Sequence, residues 1–205
     1  MGKVVVSEFV GLDGVMEEPH LWSFGFWNDE QTKYKTDELH ATDAMLLGRK
    51  TYEGFAEAWP PRKGDPFADR FNGLPKYVVS RTLTNPTWEK TTVVKGDLSD
   101  EVARLKKRYE GDIVVHGSQN LVQQLVNRKL VDEYHLLVYP IVLGSGKRVF
   151  DDGTKAKLRL ADSKRFQTGV MALTYQPAPD AAGEDVRYPG WPLSDSRKAG
   201  STERS

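Results

Sequence analysis

Ile113-Val114-Val115-His116-Gly117-Ser118-Gln119-Asn120-Leu121-Val122 decides how this chain folds. Ile113 to Val115 is a short apolar run, bounded by polar residues, and reads as a buried strand. Gly117 and Ser118 follow at once. Leu121, Val122, Leu125 and Val126 then recur at helical spacing. The segment is therefore strand, glycine turn, helix. Glycine at such a junction lets a ligand approach the backbone closely. The first amides of the helix have no partner inside it, so they can hold an anion. The pyrophosphate of a dinucleotide suits that geometry, although many such junctions are plain turns.

Upstream and downstream segments repeat the alternation. Val4 to Val10 reads as a strand, and its unbroken Val4-Val5-Val6 predicts burial on both faces. A turn-rich loop runs from Gly11 to Trp27. Asp29 to His40 is expected to be helical, with acidic residues at its start, but its apolar face is thin. Ala44 to Leu47 is a short strand. Gly48-Arg49-Lys50-Thr51 opens a helix that contains Tyr52 and Phe55 and stops at Trp59-Pro60-Pro61. Arg62 to Gly73, rich in charge, Gly and Pro, reads as an excursion. Tyr77 to Ser80 and Thr92 to Lys95 are strands. Leu98, Val102, Leu105 and Tyr109 mark a helix, capped by Ser99 or Asp97, with Gly111 past its end. The helix after Gly117 ends near Arg128, and Tyr134 to Tyr139 is a strand. Leu158 to Phe166 and Val170 to Tyr175 form an antiparallel pair turning near Thr168 and Gly169.

Strands alternating with helices imply an α/β domain: a mostly parallel central sheet, helices on both faces, and antiparallel strands at the C-terminal edge. One domain over residues 1–176 is expected. From Pro177 to Ser205 the composition shifts to Pro, Gly, Ala, Asp and Ser, which predicts a flexible tail. Tyr188 and Trp191 stand out there and could dock on this chain or on a partner.

The chain has 205 residues, with Lys+Arg 29 against Asp+Glu 29 and a formal net charge of +0. This balance lends no support to a nucleic-acid or membrane-surface role. Cys is 0, which excludes disulfides and thiolate metal sites. The four histidines form no close pair at metal-ligand spacing, so no metal is expected. No apolar run is long enough to span a membrane, and Met1 to Glu8 does not read as a signal peptide. A cytoplasmic protein is the simplest expectation.

Three strand ends carry residues that bind ligands. Gly48, Arg49, Lys50 and Thr51 stand at one, Ser80, Arg81 and Thr82 at the second, and the Gly117 junction is the third. In an open parallel sheet, ligands bind outside the carboxyl ends of the strands. Two guanidinium groups beside hydroxyls suit a phosphate monoester. A 2′-phosphate is such a group, so the pattern favours NADPH over NADH; the alternative is that Arg49 and Arg81 are solvated surface charges. Gly144-Ser145-Gly146-Lys147 is not a P-loop, because Ile141 stands where the first glycine belongs and Arg148 replaces the magnesium-binding hydroxyl. Asp13, between Gly11 and Gly14, is the candidate acid, and it equally fits an Asx-turn. Trp22, Phe24, Phe26 and Trp27 fit either a pocket wall for a flat substrate or core packing.

Leu47-Gly48-Arg49-Lys50-Thr51-Tyr52-Glu53 resembles the cofactor-binding segment of dihydrofolate reductases, and Val79-Ser80-Arg81-Thr82 their second phosphate-binding strand end. Val115-His116-Gly117-Ser118-Gln119 sits where that family carries a double-glycine turn. Leu12-Asp13-Gly14, Leu130 to Tyr134 and Pro140 to Gly146 are closer to the reductase domain of the bifunctional bacterial riboflavin-biosynthesis deaminase/reductase. The resemblance runs from about residue 3 to residue 176, with its segments in order. It implies a dihydrofolate-reductase-like fold, an NADPH site and a homodimer. Arg49, Ser80 and Arg81 would then take the 2′-phosphate side. Gly48, Lys50 and Thr51 would meet the phosphate bridge from one helix start, and Gly117, Ser118, Gln119, Asn120 and Leu121 from the other. Backbone around Val10 and Gly14 would hold the nicotinamide amide. Asp13 would face the substrate, with Trp22 and Trp27 nearby. Glu30 or Asp29 would stand for the folate-binding carboxylate. The implied activity is NADPH-dependent hydride transfer to a pterin-like or aminopyrimidine-like molecule. The rivals are a dimeric NADPH-binding protein without turnover and a flavin-holding pocket.

Overall fold

Val4, Val5 and Val6 are each 0% exposed, which places the first strand, β1 (Lys3–Val10), inside the sheet rather than at its edge. The computed structural model describes residues 1–178; the expected tail, with Tyr188 and Trp191, falls almost wholly on residues 179–205, outside the described residues. After β1 come α1 (Asp29–Ala41), β2 (Thr42–Gly48), α2 (Arg49–Ala58), α3 (Pro66–Gly73), β3 (Lys76–Val79) and β4 (Thr91–Val94). α4 (Leu98–Arg108), β5 (Asp112–Val115), α5 (Gln119–Asn127), β6 (Glu133–Val138), β7 (Leu158–Arg165) and β8 (Met171–Pro177) complete the order.

The eight strands form one sheet in the order β4-β3-β2-β5-β1-β6-β8-β7. Pairings from β4 through β6 are parallel, with Val4 opposite Ile113 and Val6 opposite both Val115 and Tyr134. β8 runs antiparallel to β6, and β7 antiparallel to β8. The expected fold class is thus observed. The chain leaves β2 toward β3 and leaves β5 toward β6, in opposite directions. The carboxyl ends of adjacent β2 and β5 are therefore a topological switch point, where open α/β sheets bind ligands.

Cores fill both faces. Val4, Val6, Ile113, Val115, Leu105 and Leu125 pack on one face with α4 and α5. Met45, Leu47, Tyr52, Phe71 and Trp88 pack on the other with α2 and α3. A third cluster joins Leu137, Tyr139 and Phe166 to Trp22 and Phe26 of the aromatic loop. Burial of each large apolar side chain stabilises the fold by about 1.5–3 kcal/mol.

One expectation is corrected and one explained. Residues 62–73 are not a plain excursion, because they contain α3. Asp65 caps it by accepting from the Ala68 amide at 2.9 Å, Pro66 sits at its first position, and Ala68 and Phe71 face the core. The thin apolar face of α1 also has a reason. Its inward residues are Gln31, Lys35 and Leu39, so two of three buried positions are polar. No helix among the described residues is long and apolar enough to cross a membrane.

Candidate functional site

The ends of β2 and β5 are drawn together by glycine. The Gly48 amide donates to the Gly117 carbonyl at 3.1 Å. A Cβ on Gly48 would lie 2.2 Å from Ser118 Oγ and 2.9 Å from the Ser118 backbone nitrogen, so no larger residue fits without movement. Gly117 has φ of +87°, a left-handed value that disfavours side chains, and its peptide to Ser118 is cis.

This crossing floors a cleft of about 290 Å³. Gly48, Arg49 and Lys50 line it from α2, and Val79 and Ser80 from the end of β3. Ser118, Asn120, Leu121 and Gln124 line it from α5. The helices differ in how their starts are satisfied. α1, α3 and α4 are capped by the side chains of Asn28, Asp65 and Asp97. α2 and α5, both opening on the cleft, have no side-chain cap hydrogen bond. Their first amides carry the positive end of each helix dipole, and an anion would satisfy them.

The charged groups around the cleft are free to move toward a ligand. Arg49 pairs with Glu53 at 3.4 Å, with both side chains about half exposed. Such a pair is worth about 0–1 kcal/mol and yields easily to a phosphate. Lys50 is exposed. Ser80 is 8% exposed, and its Oγ accepts from the amides of Thr82 at 3.2 Å and Leu83 at 3.0 Å. That hydroxyl keeps its own proton to donate.

The remaining expected cofactor residues are placed differently. Arg81 is exposed, one residue beyond Ser80, and does not line the cleft. Gly117 is buried rather than open; a side chain there would meet Thr51 Oγ1 at 3.1 Å, so Thr51 also packs at the crossing. Gln119 lines a smaller hollow with Lys147 and Asp151 and pairs with Asp151. The backbone near Val10 and Gly14 makes hydrogen bonds within the protein. Val10 O accepts from Tyr139 N at 2.8 Å, Gly14 N donates to Gly11 O at 2.9 Å, and Gly14 O accepts from Val149 N at 3.1 Å.

Two of the candidate carboxylates, Asp13 and Glu30, accept from backbone amides. Asp13 Oδ2 accepts from the amides of Gly144 at 2.8 Å and Leu143 at 3.2 Å. These donors, Gly144 first, hold its carboxyl below the usual range, while its Oδ1 is buried without a partner. Glu30 accepts from Gln167 N at 2.7 Å, which ties α1 to the β7–β8 turn. Asp29 is exposed at the start of α1. Trp22 donates its indole N–H to Glu17 O and packs edge-on against Tyr139, so it is largely a packing residue. Trp27 is 38% exposed beside Phe24 and offers open aromatic surface. Gly144 and Gly146 have φ of +79° and +121°, as befits a turn.

Glu8 and Gln124 escape the sequence reading, and Val79 enters it only within the motif Val79-Ser80-Arg81-Thr82. Val79 and Gln124 are ordinary strand and helix residues with no local mark. Glu8 did carry a signal: it is a charged residue inside a strand otherwise expected to be buried.

Comparison with known proteins agrees with this geometry. The chain is 32% identical over 146 residues to the uncharacterized protein YyaP of Bacillus subtilis, covering 68% of this chain and 77% of that one. A solved protein of Shewanella sp. PV-4, named for riboflavin biosynthesis, superposes with a TM-score of 0.71 at 21% identity, covering 86% of this chain and 99% of that one. Dihydrofolate reductase from Enterococcus faecalis, solved with NADP(H), gives 0.58 at 14% identity, covering 86% and 96%. Both structures share the fold. Residues 2–172 match the family described as RibD C-terminal domain, and the chain belongs to that family.

Proposed function

We propose that this chain is an NADPH-dependent reductase acting on a flat nitrogen heterocycle, pterin-like or aminopyrimidine-like. One observation carries the reading. Two helix starts without side-chain caps, α2 and α5, converge where β2 and β5 end, with Arg49, Lys50 and Ser80 around them. The residues present fit a phosphorylated dinucleotide: backbone amides for a phosphate bridge, a mobile guanidinium and a hydroxyl for a phosphate monoester. Arg49, Ser80 and Lys50 would hold the adenosine-phosphate side, and Ser118, Asn120 and Leu121 the bridge. When bound, NADPH supplies the hydride, and the protein's share is position and electrostatics. Membership of the RibD C-terminal domain family and the fold shared with an NADP(H)-bound reductase support the same reading. The riboflavin-biosynthesis name of the Shewanella protein favours an aminopyrimidine among heterocycles. A homodimer belongs to this reading, checked by light scattering.

The test is oxidation of NADPH, followed by absorbance, across a panel of pterins and aminopyrimidines. Turnover of at least one is expected. Arg49→Ala should weaken NADPH about tenfold or more and NADH little, since a guanidinium–phosphate pair is worth about 1.5–3 kcal/mol. Equal weakening of both nucleotides rules out the 2′-phosphate assignment. A second reading, NADPH binding without turnover, draws on Asp13 and Glu30, both committed to backbone amides. Tight NADPH binding with no oxidation across the panel would favour it.

A further inference from the structure

Glu8 breaks the apolar face of β1 that Val4, Val6 and Val10 form. It is 7% exposed, and its Oε1 is buried with no hydrogen-bond partner. Leaving a buried polar atom unpaired costs about 1–3 kcal/mol, so native proteins keep few of them. Burial pushes the Glu8 carboxyl well above the usual range, with Lys35 opposing and Glu38 adding to the rise. A protonated carboxyl sets an O–H donor beside a C=O acceptor. That pair is complementary to a primary amide.

Its position bears on the site already described. The spot a Gly117 side chain would fill lies 3.7 Å from Glu8 Oε1, 3.7 Å from Met16 Cε and 3.1 Å from Thr51 Oγ1. Glu8 therefore lies beside Gly117, behind the cleft wall, and Gly117 is the chain neighbour of Ser118, which lines the cleft. The backbone groups at Val10 and Gly14, which the family resemblance offered for the nicotinamide amide, already have partners in the protein. Two nearby carboxyl groups each have a buried oxygen without a partner, Glu8 Oε1 and Asp13 Oδ1; backbone amides hold Asp13 toward its ionised, acceptor-only form, whereas burial favours the protonated form of Glu8.

We propose that Glu8 is a binding residue of the cofactor site, where its carboxyl pairs with the carboxamide of the nicotinamide ring. The inference rests on the NADPH reading and adds to it a side chain that selects the nicotinamide end. The substitutions are Glu8→Leu, which removes the pairing, and Glu8→Gln, which keeps one donor and one acceptor. Calorimetry measures binding of NADPH and of adenosine 2′,5′-bisphosphate, which lacks the nicotinamide. Glu8→Leu should lose about tenfold or more in NADPH affinity, equivalent to the loss of one buried hydrogen-bonded pair. It should hold adenosine 2′,5′-bisphosphate within about twofold and melt above the wild type, because an unpaired buried carboxyl is gone. Glu8→Gln should stay within about threefold of wild type for both ligands.

Unchanged NADPH affinity in Glu8→Leu overturns the inference and leaves the cofactor reading standing. So does proportional loss of both ligands, which would mean that Glu8 only shapes the strand. Wild-type protein that binds neither ligand overturns the cofactor reading and this inference with it. Should Glu8→Leu fail to fold, the change moves to the ligand. An NADPH analogue with acetyl in place of the carboxamide should bind wild type about fivefold more weakly than NADPH, and equal binding overturns the inference.

Discussion

Gly48 has φ of −76° and ψ of 157°, a conformation any residue adopts, so its backbone does not require glycine. Space does. Ser118 could rotate its hydroxyl away from a new Cβ, but its own Cβ and nitrogen, each 2.9 Å off, are fixed by the turn. Gly48→Ala must push the ends of β2 and β5 apart and lengthen the Gly48–Gly117 hydrogen bond. The expected cost is about 1–3 kcal/mol, the usual range for overpacking, read from urea unfolding. NADPH affinity should fall with it, because the amides of both helix starts are set by that approach. A loss below about 0.5 kcal/mol would mean the crossing relaxes freely and the cradle is not preorganised. Gly117 differs, since its positive φ alone disfavours a side chain. The two glycines were both legible as functional candidates in the sequence. Which one needs space and which one needs a left-handed backbone was not.

The helix α1 shows why some elements read poorly in sequence. Its buried face is a polar network. Lys35 donates to Ser7 Oγ at 3.0 Å and pairs with Glu38, while Glu38 also accepts from Ser7 Oγ at 2.8 Å and meets His135 Nδ1 at 3.3 Å. Burial pushes against ionisation of Glu38, yet Lys35 and His135 prevail and hold its carboxyl far below the usual range. An ion pair of this kind is weak support for stability, but breaking it is costly. Lys35→Met should cost about 3–5 kcal/mol, because Glu38 stays charged and buried without its cation. Lys35→Met combined with Glu38→Leu should recover much of that loss. If the double variant is as unstable as the single, the network holds α1 by geometry that neither charge explains, and the denaturation midpoints decide it. A helix buried through polar residues lacks the apolar stripe that marks helices in sequence. α3 escaped for a different reason: its Asp65-Pro66 start signal lies inside a segment dense in Gly, Pro and charge. The ends of β2, β3 and β5 fall within a residue of where the sequence puts them, because each junction is local, with glycine or hydroxyl adjacent to the apolar run. The Gly14 amide has a local partner in Gly11, but the donors to Val10 O, Gly14 O and the Asp13 carboxylate come from residues 139–149, far away in sequence, so that engagement was invisible until the fold was known.

The cleft lies on the rim of carboxyl strand ends, at the ends of β2, β3 and β5, while β4 and β7 are the lateral edges of the sheet. A ligand along that rim would touch both helical layers at once, through α2 on one face and α5 on the other. Binding should therefore stabilise the domain as a unit rather than one element. Mass action fixes the size: at a hundred times the dissociation constant the gain is about 2.7 kcal/mol. For a domain of this length, 1 kcal/mol moves the melting temperature by about 2–4 °C, so saturating NADPH should raise it by roughly 5–10 °C in one cooperative transition. NADH at equal concentration should raise it less, by the margin that Arg49 and Ser80 lend to the 2′-phosphate, and Arg49→Ala should narrow that gap. Arg81→Ala should narrow it little, since Arg81 stands outside the cleft wall. Differential scanning calorimetry reads both the shift and its cooperativity. Equal shifts from the two nucleotides would detach the cleft from phosphate recognition. A transition that splits in two on adding NADPH would mean the helical layers respond separately, and the rim would then not be the single binding surface the topology makes of it.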